Sequence, residues 1–79
     1  MTKFDHSDYL ANASKYRLFK TATLRNTIIN EDSGVQAGTI VGLEFIGDIY
    51  NRMYRRIEPV YRLHTGDACY AANLTDFTL

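Results

Sequence analysis

Val60-Tyr61-Arg62-Leu63-His64-Thr65-Gly66-Asp67-Ala68-Cys69-Tyr70-Ala71-Ala72-Asn73-Leu74 reads as a strand, a tight turn at Gly66-Asp67, a second strand and a small polar cap. Apolar residues flank a glycine-containing pair, the usual signature of an antiparallel hairpin. The stretch bounds the fold without naming a substrate, and the rest of the chain is read outward from it.

On its N-terminal side, Ile49 to Glu58 supports two readings. At helical spacing Ile46, Ile49, Tyr50, Met53 and Ile57 share a face, Asp48 caps the start and Pro59 stops the end. At strand spacing Ile49, Met53 and Ile57 lie on one face, with Tyr50, Arg52, Tyr54, Arg56 and Glu58 on the other. Strand continuation is favoured, because Gly47-Asp48 also reads as a hairpin turn and the surrounding pattern is β. Ala37 to Ile46 is the clearest strand, opened by Gly38 and closed by Gly47-Asp48, with Gly42 marking a bend or bulge. Arg25 to Gln36 is a long loop rich in turn formers, a loose hairpin with Ile28 and Ile29 folded inward. Tyr16 to Leu24 reads as a strand with Leu18, Phe19 and Leu24 in the core. Residues 1–14 form either a frayed arm or a short helix capped by Ser7. In the helix, Asp8 lies in the first turn, and Phe4, Tyr9 and Leu10 cover an open end of the domain.

At 79 residues the chain makes one domain, and a domain of this size buries only about 60% of the surface its unfolded chain exposes. Cys69 is alone, so no disulfide forms within the chain. One Cys and two His fall short of a structural zinc set. No cofactor or metal is expected. Pairing of two copies is then the economical source of further burial, and a homodimer is the expectation. Nine basic and nine acidic side chains cancel, leaving no net attraction to nucleic acid or anionic membrane. With no apolar run near a membrane span and a lone thiol, a soluble cytoplasmic protein is expected.

In order, these segments resemble the Src-homology-3-like small β-barrel over residues 16–79. Gln36 to Leu43 is similar to the family's diverging-turn segment, and Arg62 to Asp67 to its distal hairpin. Tyr70 to Leu74 looks like its closing strand running into a 3₁₀ turn, with Thr75 to Leu79 as the last strand. The resemblance implies a mainly β fold of about five strands over residues 15–79, behind an arm or short helix at 1–14, with a helix at 48–57 as the alternative to strand. It does not imply the polyproline function. The chain has no Trp, Ala71 stands where the groove proline would be, and Leu74 takes the place of the groove tyrosine. Stand-alone domains of this kind look like phage-borne or bacterial accessory proteins, including inhibitors that occupy the surface of a host or defence protein.

Tyr50, Arg52, Tyr54, Arg55 and Arg56 are the candidate partner-binding residues. Arginine forks and tyrosine rings are common currency of protein hot spots and also suit phosphate and base contacts. A non-enzymatic protein-binding module is the leading expectation, and a nucleic-acid-binding barrel using the same segment is the alternative. His64 and Cys69 around Asp67 would make a nucleophile pair only with an activated thiolate, and a small buried cysteine is the plainer reading. Asp5, His6 and Asp8 read as a solvated arm rather than a cation site. The Asn30-Glu31-Asp32-Ser33-Gly34 loop reads as a hydrated turn, with an acidic contact loop as the functional alternative.

Overall fold

The computed structural model describes residues 3–29 and 34–79, so the acidic loop, Gly34 apart, lies outside the described residues. Two short helices, α1 (His6–Ala11) and α2 (Ala13–Leu18), precede β1 (Thr21–Leu24), β2 (Ile28–Ile29) and β3 (Gly34–Val35). The long β4 (Ile40–Asn51), β5 (Arg56–Leu63), β6 (Ala68–Tyr70), a 3₁₀ turn (Ala71–Asn73) and β7 (Leu74–Thr78) follow. An antiparallel sheet of five strands runs in the order β6-β5-β4-β1-β7, and β2 pairs with β3 in a separate ribbon. The protein is mainly β, and among the described residues no helix is long and apolar enough to cross a membrane.

β4 organises the sheet by changing partners. Its first residues pair with β1, through Thr23↔Ile40 and Thr21↔Gly42, and from Leu43 onward it pairs with β5. A register shift between Phe45 and Gly47 inserts one extra residue, and this bulge bends the strand. Gly47-Asp48 therefore does not turn the chain, contrary to the sequence reading, and the strand runs on to Asn51. The reversal comes at 52–55. No helix forms at 48–57, so strand continuation is correct for 49–51 and 56–57.

The hairpin from Val60 to Leu74 stands as read, with Leu63 N–H donating to the Asp67 carbonyl across the turn. β5 begins earlier, at Arg56, and includes Pro59 opposite Asp48. Pro59 precedes Val60, the first β5 residue paired with β6. On that outer side no ladder bond is asked of its missing N–H.

The core gathers Ala22, Leu24, Val35, Val41, Tyr61, Leu63, Ala71 and Leu74. Over one end lies an aromatic lid. Tyr16 makes edge-on contacts with Phe4, Tyr9, Phe19 and Phe77 at 5.2–5.7 Å, and the buried Tyr61 hydroxyl donates to the Tyr16 carbonyl at 2.5 Å. Phe4 and Tyr9 thus cover the end as expected, but Leu10 is exposed.

Tyr16 to Leu18, read as strand, belong to α2, and Leu18 is exposed. The reason is local. Asp8 accepts from Asn12 Nδ2 at 3.0 Å, Lys15 Nζ at 2.7 Å and the Tyr16 hydroxyl at 2.7 Å, which ties the second helix to the first. Six-residue helices are marginal alone and need such tertiary ties. Asp5, not Ser7, caps α1, its Oδ1 accepting from Ser7 N–H at 2.9 Å. α2 also crosses the boundary expected at residue 14. Of the two isoleucines expected to fold inward, Ile28 packs on the core, while Ile29 is exposed and Val35 is buried in its stead.

The Lys15 ammonium, then the Tyr16 hydroxyl, hold the Asp8 carboxyl below its ordinary value of 3.8. A carboxyl depressed in the fold stabilises it above its unfolded value, and that contribution is lost as pH falls through the folded value. Asp8→Asn is therefore expected to lower Tm at neutral pH. The gap to wild type should close as thermal scans move below pH 3.8. A gap that persists in acid would show that the charge is not what matters.

Candidate partner surface at the β4–β5 tip

β4 and β5 run past the rest of the sheet and end in the turn Arg52-Met53-Tyr54-Arg55, closed by the pair Asn51↔Arg56. Asn51 Oδ1 accepts from Met53 N–H at 3.0 Å, an Asx-type link that starts the reversal. Arg55 completes it at φ 53°, a left-handed conformation that costs an L residue roughly 1–2 kcal/mol.

Beneath the tip lies a carboxylate. Glu58 is fully buried, and its Oε2 accepts from Arg56 Nε at 2.6 Å. Its Oε1 accepts from Asn51 Nδ2 and from the Ala72 backbone N–H, each at 3.2 Å. The Arg56 guanidinium also lies 5.5 Å from the Phe4 ring centre and 5.0 Å from that of Tyr54.

The five sequence-named residues therefore divide. Arg56 is half-buried and committed to Glu58, while Tyr50, Arg52, Tyr54 and Arg55 are exposed. Arg52 and Arg55 form no ion pair among the described residues. The expected faces also differ. The four-residue turn resets the alternation, so Tyr50 lies opposite Ile57, and Arg56 shares a face with Asn51 rather than with Tyr50.

Sequence reasoning missed the apolar half of this surface. Met53 is 83% exposed, and Ile46, Ile49 and Ile57 are also open to solvent, as are Tyr50 and Tyr54. Tyr50 and Ile57 share one face of the ladder, and Ile49, opposite Glu58, lies on the other. The helical reading groups Ile46, Ile49, Tyr50, Met53 and Ile57 on one face, but no helix forms there. Next to the tip opens a cleft of about 440 Å³, with Ile28 and Asn26 on one side and Met53, Tyr54, Tyr70 and Ala72 among its other walls. Asn73 Oδ1 accepts from Asn26 N–H at 3.0 Å and Arg25 reaches the Ala72 carbonyl at 3.0 Å, fixing the loop root to the 3₁₀ turn. Leu74 and Ala71 are buried in the core and take no part in the cleft. Its aromatic surface comes instead from Tyr54 and Tyr70.

The other candidate residues are kept apart or occupied. His64 and Cys69 open into different clefts. Burial first, then the Asp67 charge, push the Cys69 thiol up to about 12, so it remains protonated at neutral pH. His6 Nε2 meets the Ile57 carbonyl at 2.9 Å, Asp5 is a helix cap, and Asp8 holds α2. Among the described residues no group of His, Cys, Asp or Glu is placed to hold a metal.

Compared with protein-family models, with curated proteins and with solved structures, the chain matches none.

Glu58→Ala strands the Arg56 charge and the Asn51 and Ala72 donors. Breaking such a buried pair costs about 3–5 kcal/mol, comparable to everything a core this small supplies. Urea unfolding is expected to show that loss, with a smaller one for Glu58→Gln, which keeps an acceptor for Ala72 N–H. Equal losses would mean that the negative charge carries the whole effect, and that neither the side chain's volume nor a neutral acceptor for Ala72 N–H contributes.

Proposed function

We propose that this protein is a non-enzymatic protein-binding module whose working surface is the β4–β5 tip together with the cleft beside it. The observation that carries the reading is the exposure at one tip of Met53, Tyr54, Tyr50 and Ile57 with Arg52 and Arg55, which form no ion pair among the described residues. Tyrosine, methionine and arginine are enriched in the centres of protein interfaces. Arg55 in a left-handed conformation agrees with it, since strained backbone gathers at binding sites. Binding without chemistry is how an occluding inhibitor works, and an inhibitor that covers the surface of a host or defence protein is the form of the module we propose.

The Src-homology-3-like barrel belongs to the same proposal. The strand order, the 3₁₀ turn between the last two strands and the long loop between β1 and β4 support it. The polyproline function is not part of it, because the chain has no Trp and Leu74 is in the core. Nucleic-acid binding at the tip is the weaker reading. With Arg56 held by Glu58, about two arginines remain for phosphates, and affinity would scale with a salt slope of only roughly −1.4 to −1.8. A cytoplasmic location rests on the lone thiol.

Pull-down from cell extract with wild type, Met53→Asp and Arg52→Glu/Arg55→Glu tests the surface. The tip variants are expected to lose the recovered partner, with an affinity drop of at least about 2 kcal/mol for a hot-spot residue, while unfolding as wild type does. Recovery of the same partner by all three proteins would remove the tip from the function. We also propose a homodimer, which light scattering at high concentration would show as twice the 9.0 kDa chain mass. A particle of 9.0 kDa would refute it.

A further inference from the structure

At the other end of the β4–β5 ladder, the structure presents a second cleft, of about 460 Å³, whose charged and polar lining is Lys20, Glu44, Arg62 and His64. Gly42 and Gly66 complete two of its walls without side chains. We infer that this cleft is a binding site for a small phosphate monoester.

The argument starts at Gly42. Its carbonyl accepts from His64 N–H at 3.0 Å, and its own N–H donates to His64 Nδ1 at 2.9 Å. A ring nitrogen that accepts a hydrogen bond carries no proton, so the neutral imidazole keeps its proton on Nε2. Nε2 has no partner among the described residues. The His64 ring lies against the Gly42 backbone, where a Cβ would meet the His64 Cβ at 3.4 Å, in ordinary contact. Of the bend or bulge expected at Gly42, the bulge falls further along, at Ile46.

Two cations join that N–H donor. Lys20 and Arg62 are exposed and form no ion pair among the described residues. Glu44 lies directly opposite Arg62 in the ladder but makes no ion pair with it. The cleft thus offers an ammonium, a guanidinium fork and an imidazole N–H, against one carboxylate. A phosphate monoester carries close to two negative charges on three terminal oxygens, which matches two cations and an N–H donor better than a singly charged carboxylate ligand does. Arginine with lysine is also the usual pairing for phosphate. The volume exceeds that of a bare oxyanion and lies within the range of ligand sites, which leaves space for the ester's organic part. This site is independent of the tip and of the proposal made for it.

Amide and imidazole NMR spectra of the whole chain, titrated with phenyl phosphate and with inorganic phosphate at constant ionic strength, test the inference. Saturable shifts are expected at the Gly42 and Gly66 amides and the His64 ring. Tighter binding of phenyl phosphate is expected for an organic ester, and equal binding of inorganic phosphate would overturn the monoester assignment. Lys20→Gln and Arg62→Gln, both exposed positions, should each weaken binding roughly tenfold, the worth of one charge-assisted hydrogen bond. Glu44→Gln should tighten it. Shifts that stay linear, that are as large at Arg52 and Arg55, or that survive in the Lys20→Gln/Arg62→Gln double variant would overturn it.

Discussion

A single buried carboxylate fixes the relation between the sheet and its projecting tip. Glu58 draws Arg56 from its own strand, Asn51 from the facing strand and the Ala72 N–H from the 3₁₀ turn onto its two oxygens. Burying such a charge is costly, and well-packed apolar side chains often stabilise a fold as well or better. Its value here is positional. No apolar residue would hold a side-chain amide and a backbone N–H from two other elements to one point. The tip is thereby fixed against the turn that lines the cleft, and Arg56 is removed from the charges available to a partner.

The same economy governs the other end. A small chain lacks the volume for a deep core, and this one adds burial through rings. Phe4, Tyr9, Tyr16, Phe19, Tyr61 and Phe77 form a connected set of edge-on and tilted contacts that seats both helices on the sheet. Such pairs contribute about 0.5–1.5 kcal/mol each beyond their buried area. Burial and the Asp48 carboxylate raise the Tyr9 phenol to about 12, so its hydroxyl stays a donor to Asp48, at 2.6 Å. The shortage of burial that made a homodimer attractive is therefore met in part within the chain. What still argues for pairing is the exposed apolar tip, the same surface proposed to take a partner.

How much of this was legible in the sequence follows from the range of the interactions. The hairpin from Val60 to Leu74 was readable because its turn residues and flanking strands are adjacent in the chain. The second helix was not. Arg17-Leu18-Phe19-Lys20 looks like strand until Asp8, several residues earlier, is seen to hold Lys15 and Tyr16. Gly47-Asp48 carried a genuine turn signal, but beside a bulge the same dipeptide bends a strand without reversing it. At the candidate surface the arginines and tyrosines were visible by type. The commitment of Arg56 was hidden, because its partner's burial depends on residues 51 and 72 together.

The ladder between β4 and β5 gives these surfaces their separation. It runs from Leu43↔Leu63, beside the Gly42–His64 contact, to Asn51↔Arg56 at the tip, with the bulge between. Nine residues of extended chain span at most roughly 30 Å, close to the longest dimension of the molecule, 36 Å. A partner seated on Met53 and its neighbours therefore leaves Lys20, Arg62 and His64 uncovered. Coupling between the ends would require an element with two arrangements. A strand held on one face by Glu58 and braced at Asp48 by Tyr9 and Arg17 is a poor candidate. The geometry favours independence of the two proposed surfaces on one hairpin.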